Sequence, residues 1–215
     1  GNSINPPHKV LIQPSKGRQY ARSLDEKNKT DCIDAMMLSR MGLERDLPLW
    51  NKPEESLKVL KRLSRERISL IREKNVLTNQ LHALNHSHQA FADTIHRLQE
   101  RIRLAETQLK EIEGQMRLLV SQNPLLEDKV RHVTSIPGIS FVTAVTVLAE
   151  TDGFSNISNR RQLVSYAGLD IVIRESGTLA WRPHISKRGN AYIRAALYMA
   201  AVSSVLHNKT LLPQA

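Results

Sequence analysis

A serine followed by a group of cations is the part of this sequence best suited to chemistry. Ser176 lies in the segment RESG, where Gly177 favours a tight turn, and the basic segment SKRGN follows at 186–190. Arg174 and Arg182 flank the serine in the sequence. Attack of a serine on phosphorus requires nearby cations, because negative charge accumulates on the phosphate oxygens in the transition state. The local sequence alone favours an ordinary turn residue, whereas the surrounding cations favour a nucleophile.

Two carboxylates three residues apart are the second chemical feature. Asp31 and Asp34, in the segment KTDCIDA, project from one face of a predicted helix, where together they could bind Mg²⁺. The alternative is structural, with Asp31 as the N-cap of that helix and Asp34 as a first-turn acid that favours the helix dipole. Two carboxylates make a weak metal site, so spacing alone leaves both interpretations open.

The charge of the chain favours a polyanionic partner. Its 215 residues carry a formal net charge of +10 and a pI near 10.0, which attracts nucleic acid through long-range forces and counterion release. The positive excess is spread along the chain rather than gathered in a basic tail. A nucleic-acid surface must therefore be formed by folding.

Cysteine content and apolar runs indicate the compartment. The single cysteine, Cys32, excludes an internal disulfide and is predicted to be a small buried residue of a helix. No apolar run approaches the roughly 18 residues that cross a bilayer, and the start of the chain lacks a secretory-signal pattern. We expect a cytoplasmic protein without a membrane partner.

Three segments that differ in composition must position these residues. Residues 1–53 are mixed, with a buried strand predicted at 9–14 and a helix at 29–43. Residues 54–122 are charged and Leu-rich, and residues 123–215 hold the most specific local patterns. The predicted fold class is mainly α, with small α/β and β-hairpin parts.

The middle segment is predicted to be a long helical hairpin. Apolar residues recur at threes and fours through 54–122, and NHSH at 85–88 is the expected bend between two antiparallel helices of about thirty residues each. Such a narrow stripe favours pairing with another chain, as a dimer or tetramer, over an intrachain spacer. Its histidines are predicted to be a solvated polar face rather than a metal site: His82, His86, His88 and His96.

The third segment begins with a turn suited to phosphate. A Pro-Gly turn divides two apolar helices within 130–150, a pattern similar to a helix-hairpin-helix, in which N–H groups at a helix N-terminus contact a phosphate. Gly138 and Ser140 belong to this turn, although the usual motif has glycine where Ser140 stands. An ordinary corner between two helices is the alternative.

Further along, helices enclose a predicted β-hairpin. The first helix, 158–169, is capped by Ser158 or Asn159 and ended by Gly168, strands at 170–174 and 178–186 flank the turn, and a helix capped by Asn190 covers 190–207. The residues predicted to contact nucleic acid are Gly138, Ser140, Arg174, Arg182, Lys187, Arg188 and Arg194.

These motifs, in this order, resemble one family along nearly the whole chain. KTDCIDA, the helical hairpin, SIPGI, YAGL, RESGT and SKRGN followed by IRAALYMAA are similar to the insertion sequence one-ten (IS one-ten) transposases and their pilin-gene invertase relatives, also called bridge-RNA-guided recombinases. The combination of RESG with SKRGN and ALYMAA is the specific part.

The resemblance implies a composite active site in a bacterial DNA recombinase. In that family a domain similar to RuvC-type resolvases carries four acids, Asp-Glu-Asp-Asp, around Mg²⁺, and Asp31 and Asp34 match the last two. Ser176 matches the serine that becomes transiently linked to DNA, and a coiled coil joins subunits so that the acids of one protomer serve the serine of another. A guide RNA would read the target by base pairing, so no base-contacting residue is expected.

The sequence departs from that family at both ends. The first Asp and the Glu should precede the strand at 9–14, yet residues 1–10 contain no acid, and the chain stops soon after ALYMAAVSSVLHN. We therefore expect a shortened or degenerate copy that does not exchange strands alone, whereas its full-length parent does. A non-catalytic module for nucleic-acid binding and oligomerisation is the alternative function.

Overall fold

The computed structural model forms two compact units, Gly1–Lys52 and Pro53–Ala215. Its described part is mainly helical, and no helix there is long and apolar enough to span a membrane. The structure describes residues 9–10, 12, 14–24, 30–47, 49, 52, 54–87, 92–155, 157–173, 175–176, 179–180 and 182–207.

The first unit is built on two helices, α1 (Pro14–Ser23) and α2 (Asp31–Glu44). Tyr20 of α1 and Met41 of α2 are buried, and the Tyr20 hydroxyl donates a hydrogen bond of 2.6 Å to Glu44 Oε2. This bond is the main cause that raises the pKa of Tyr20, and it likewise lowers the pKa of Glu44. The helix predicted at 29–43 is thus present with slightly shifted ends.

Two predictions for this unit are corrected. The buried strand predicted at 9–14 is represented in the described residues by a single antiparallel bridge between Val10 and Leu49, and both side chains are exposed. Cys32 is exposed rather than buried. In the described part of α2, Met41 alone is fully buried, so the helix buries a narrower face than its apolar content suggested.

The second unit contains an antiparallel hairpin of α3 (Glu55–Asn85) and α4 (Ala92–Ser121), 31 and 30 residues long. Ion pairs cross between the helices, with Arg67 Nε 2.7 Å from Glu113 Oε1 and Lys74 Nζ 2.8 Å from Glu106 Oε1. The two long helices predicted from the apolar spacing are confirmed. Three of the four histidines are described, and all three are exposed: His82, His86 and His96.

The open end of the hairpin packs on α5 (Pro124–Thr134) and α6 (Phe141–Glu150) of the same chain. Burying a large aliphatic side chain contributes about 1.5–3 kcal/mol, and this core contains several such side chains. Part of the stripe predicted to face another chain therefore has an intrachain partner, while assembly through the remainder stays a prediction. The buried residues of this core are Leu57, Leu60, Leu63, Ile112, Met116, Val120, Leu126, Val130, Ala144, Val145, Leu148 and Ala149.

The last part of the chain places a β-hairpin between two helices whose ends were predicted. Asn159 Oδ1 accepts the N–H of Gln162 and begins the first helix, Gly168 ends it with φ +67°, and Asn190 begins the second. Asn159 is therefore the cap, of the two residues considered. The elements are α7 (Arg160–Ala167), β1 (Ile171–Val172), β2 (Glu175–Ser176), β3 (Leu179–Ala180), β4 (His184–Ile185) and α8 (Ala191–His207).

Candidate catalytic and nucleic-acid-binding site

Ser176 is the last residue of β2, at the loop end of the β-hairpin. Its backbone pairs with that of Leu179, and two residues lie between the paired positions in the sequence. The predictions for Arg174 and for Gly177 at a left-handed position lie outside the described residues. The prediction that residues 175–177 form the turn is therefore corrected, because Glu175 and Ser176 are strand residues that pair with Ala180 and Leu179.

The second arm of the hairpin is one residue longer than the first. Two residues separate the paired positions Val172 and Glu175, whereas three separate their partners Ala180 and His184. The ladders on either side of this stretch are separate two-stranded sheets. Pro183 lies in the longer stretch, where its missing N–H costs no ladder bond, and the neighbouring Arg182 is exposed.

Backbone hydrogen bonds hold the basic segment 186–190 against the C-terminal end of α7. The Lys187 N–H donates to Gly168 O at 3.0 Å, and the Asn190 N–H donates to Tyr166 O at 2.7 Å. Ser186 donates twice to Asp170, from N–H to the backbone O at 2.8 Å and from Oγ to Oδ1 at 2.7 Å. We call residues 186–190 the basic loop. Its backbone is held by the preceding helix end.

Gly189 permits this close approach. A Cβ at Gly189 would lie 2.4 Å from the backbone N of Gly168 and 2.5 Å from the O of Tyr166. Real Cβ atoms essentially never come that close to backbone atoms. The YAGL and SKRGN segments are therefore two sides of one backbone contact.

The cations of this region have different surroundings. Lys187 and Arg188 are exposed, and Lys187 has a positive φ of 54°. Arg194 is half-buried, and its Nη1 donates to Ala167 O at 2.8 Å, where it satisfies a carbonyl at the end of α7. Arg194 therefore has a structural contact, and its contact with nucleic acid stays a prediction.

The Pro-Gly turn between α5 and α6 packs against α8. Gly138 has φ +90°, and a Cβ there would lie 2.0 Å from Ser204 Oγ. Ser204 Oγ in turn donates to Pro137 O at 2.7 Å. Ser140 caps α6, because its Oγ accepts the Thr143 N–H at 3.2 Å. Two helices joined by a turn are thus present at this position, while their function as a helix-hairpin-helix that contacts phosphate stays a prediction.

Asp31 and Asp34 both lie in the first turn of α2. The N-cap is Thr30, whose Oγ1 accepts the Ile33 N–H at 3.3 Å, so the alternative in which Asp31 caps the helix is wrong. Asp31 is exposed and Asp34 is half-buried. Within the described ranges no three His, Cys, Asp or Glu side chains are gathered to hold a metal ion.

Comparison with known proteins gives two family matches. Residues 130–214 match the family described as transposase IS116/IS110/IS902, and residues 8–88 match a transposase family of the IS110 group with a DEDD domain. The pilin gene-inverting protein of Moraxella bovis is 30% identical over 206 residues, which cover 93% of this chain and 61% of that protein. The corresponding protein of Moraxella lacunata gives the same values. The transposase of insertion sequence element IS1111A from Coxiella burnetii is 35% identical over 82 residues, 37% of this chain and 22% of that protein.

This chain belongs to the IS110 family of transposases. The resemblance inferred from the motifs is thus confirmed. The chain spans 61% of the length of the two pilin gene-inverting proteins.

One buried residue of this IS110-family chain was missed by the sequence reasoning. Glu150, at the end of α6, is 2% exposed and its carboxylate receives donors from two other elements. Arg65 of α3 donates from Nε to Oε1 at 2.7 Å and from Nη2 to Oε2 at 3.1 Å, and Asn190 Nδ2 donates to Oε2 at 2.6 Å. Lys61 Nζ is 3.4 Å from the same oxygen. A single acid in a segment without other charged residues, FVTAVTVLAE, was the available signal.

The electrostatics of Glu150 favour its charged form. Burial alone raises the pKa of this carboxyl, but the hydrogen bonds from Arg65 and Asn190, with the charges of Lys61 and Arg65, outweigh burial and lower the pKa. The bond to Glu150 is also the largest cause that raises the pKa of Arg65. The carboxylate therefore stays ionised beside the basic loop of this IS110-family chain.

Proposed function

We propose that this chain forms part of a DNA transposase or recombinase in which Ser176 is the nucleophile. The observation that carries the proposal is the family match over 130–214, a range that contains both Ser176 and the basic loop. The hairpin and the loop are continuous, because the Ser186 N–H donates to Asp170 O directly beyond the Ile171–Ile185 pair. This continuity supports the proposal, because it joins the segment of Ser176 to the segment of Lys187 and Arg188.

The length of the hairpin separates Ser176 from the cations of the basic loop. Ser176 lies five positions after Ile171, which corresponds to roughly 17 Å of strand at about 3.3 Å per residue. Phosphates along one DNA strand rise about 3.4 Å each. Lys187 and Arg188, at the base of the hairpin, therefore suit phosphates several nucleotides from the reacting one, and Arg182 lies between these positions.

The proposed reaction is a reversible transfer of one phosphodiester. Ser176 Oγ loses its proton and forms a bond to phosphorus, while the bond from phosphorus to one deoxyribose oxygen breaks and that sugar leaves as a hydroxyl. The DNA end stays linked to the protein as a phosphoserine ester. A hydroxyl from the partner strand then attacks the same phosphorus and releases the serine, so no external energy source is required.

Asp31 and Asp34 are proposed to provide part of a divalent-metal site. Their carboxylate oxygens have the donor chemistry that Mg²⁺ prefers, and their exposed and half-buried positions leave them accessible. Two carboxylates supply only part of a ligand set, so further acids of the intact transposase complete the site. When bound, the ion neutralises charge on phosphate oxygens. We therefore expect no strand exchange from the isolated chain.

The partners proposed for the active protein are DNA, a guide RNA and further copies of the same chain. The net charge of +10 supports a nucleic-acid partner, and the long hairpin supports assembly as a dimer or tetramer through a coiled coil. The phosphate-binding turn at Gly138 and Ser140, the similarity of the first unit to a RuvC-like domain and a bacterial cytoplasmic location belong to the same proposal.

A non-catalytic module for nucleic-acid binding and oligomerisation is the second candidate. The two exposed cations of the basic loop favour it, because they support binding without requiring chemistry. The two candidates differ in whether a covalent intermediate forms.

Covalent trapping distinguishes these functions. The full-length parent protein is incubated with its guide RNA, target DNA and Mg²⁺, denatured in detergent and analysed for protein attached to DNA. We expect an adduct that Ser176→Ala abolishes and that Ser165→Ala, at an exposed position on α7, leaves intact. An adduct that survives Ser176→Ala refutes the nucleophile assignment, and the absence of any adduct favours the binding module.

A further inference from the structure

The last residue of the basic loop contacts a buried carboxylate. Among the residues that the structure describes, Glu150 is the one charged residue that is buried. Its partners come from the hairpin helix α3 and from Asn190, the last residue of the basic loop. The carboxylate therefore joins the hairpin to the loop that carries Lys187 and Arg188.

Asn190 can satisfy all of its contacts in one orientation only. Its Oδ1 accepts the N–H groups of Tyr192 at 2.9 Å and Ile193 at 3.1 Å, which caps α8, while its Nδ2 donates to Glu150. Its own backbone N–H donates to Tyr166 O at 2.7 Å. Because an amide has one acceptor end and one donor end, the acceptor at Glu150 fixes which end faces the helix.

Arg65 connects this arrangement to the hairpin. Its guanidinium binds both Glu150 oxygens and lies over the ring of Tyr192, with Cζ 4.6 Å from the ring centroid. Planar bidentate pairs of this kind impose geometry as well as attraction. A displacement of α3 would therefore disturb Glu150 and, through Asn190, the end of the basic loop.

Stability alone does not explain a charge at this position. Burying an ion pair costs desolvation, and well-packed apolar side chains of similar volume are often as stabilising. The adjoining residues of α6 are apolar and buried, so an apolar side chain would suit the packing. What the carboxylate adds is a fixed direction for the Arg65 and Asn190 donors.

We propose that Glu150 is a positioning residue that holds the basic loop, through Asn190, in the conformation that binds nucleic-acid phosphates, and that Arg65 couples this conformation to the hairpin. The nucleic-acid part of this inference rests on the proposed function, whereas the ordering of the loop does not.

The first test is hydrogen exchange in the 215-residue chain. The amides of Lys187 and Asn190 report the loop, because both are hydrogen-bonded to the end of α7. We expect Glu150→Gln to accelerate their exchange by about tenfold or more relative to the rest of the second unit. The matched control is Glu113→Gln, which breaks the ion pair with Arg67 in the hairpin and should leave the loop unchanged. Unchanged loop exchange in Glu150→Gln overturns the proposal.

A second variant keeps the test decisive if Glu150→Gln does not fold. Asn190→Ser retains a side-chain oxygen for capping α8 but removes the amide donor to Glu150. We expect the same acceleration at Lys187. Protection equal to that of the wild type in a folded Asn190→Ser chain would show that the contact does not order the loop.

The second test measures binding to duplex DNA at several salt concentrations. Each phosphate contact contributes about 0.9 to the slope of log affinity against log salt. We expect Glu150→Gln to reduce the magnitude of the slope by the amount that roughly two phosphate contacts contribute. The double variant Lys187→Ala/Arg188→Ala should reduce it equally. The triple variant should show no further reduction. Removing a negative charge should by itself strengthen binding, so tighter binding by Glu150→Gln with an unchanged slope refutes the positioning role. If the wild type binds no DNA while loop exchange still responds, the proposed function fails and the ordering role stands.

Discussion

The steric contact at Gly189 gives a prediction whose size follows from the structure. In Gly189→Ala the new methyl group would lie 2.4 Å from Gly168 N, 2.5 Å from Tyr166 O and 2.8 Å from the carbonyl carbon of Ala167. All three are backbone atoms, so no side chain can rotate away. The basic loop and the end of α7 must separate instead.

The loss of unfolding free energy in Gly189→Ala has two sources, overpacking and weakened hydrogen bonds. Overpacking a fitted site costs about 1–3 kcal/mol. Separation also stretches the bonds from Asn190 N–H to Tyr166 O, 2.7 Å, and from Lys187 N–H to Gly168 O, 3.0 Å, each worth about 0.5–1.5 kcal/mol net. We expect Gly189→Ala to lower the free energy of unfolding by about 2–6 kcal/mol, a large part of the 5–15 kcal/mol typical of a folded protein.

Urea unfolding followed by circular dichroism measures this loss. The matched control is Gly114→Ala in the middle of α4, where a Cβ would meet nothing within 4 Å. There alanine should raise the unfolding free energy by about 0.5–1 kcal/mol, because glycine is a weak helix former. Equal stability of Gly189→Ala and the wild type would show that the basic loop is not packed on α7 as described.

Three further outcomes are expected. Leu148→Ala should lower the unfolding free energy by about 2–5 kcal/mol in urea titration, because Leu148 is 0% exposed in the core beneath the hairpin. Asn159→Ala should cost about 1 kcal/mol in the same assay through loss of the α7 cap, and Asn159→Asp should retain most of it. Because the pKa of Glu150 is lowered by folding, its ionised form stabilises the protein above the unfolded carboxyl value of about 4.3, and this contribution is lost as the pH falls through the folded pKa. The difference in unfolding free energy between wild type and Glu150→Gln should therefore shrink with acidification, and a difference independent of pH would contradict the ionised assignment.

Local signals were sufficient for much of the helical architecture. Asn159 and Asn190 begin their helices, and Gly168 ends α7 in the left-handed conformation expected of a C-terminal glycine. The absence of proline and the spacing of apolar residues in 54–122 predicted the two long helices. These features depend on residues within a few positions of each other, so the sequence contains them directly.

The contacts between residues far apart in the sequence could not be predicted from local signals. Arg65 and Glu150 lie 85 positions apart, and no periodicity relates them. Burial was also misjudged where it depends on tertiary packing, because Cys32 has the apolar character of a core residue but lies on an exposed part of α2. Thr30 rather than Asp31 caps that helix, a choice between adjacent residues that propensity does not decide.

The residues that carried the family resemblance separate into two physical groups. Gly168 and Gly189 are required by the backbone contact between α7 and the basic loop, and Arg194 satisfies a carbonyl of the same helix end. Lys187 and Arg188, by contrast, are exposed. Loss of DNA binding after substitution of the first group would therefore report a disordered loop rather than a lost phosphate contact. Only a variant that weakens binding without accelerating loop exchange identifies a residue that contacts DNA, and Arg188→Ala is the variant we expect to behave in this way.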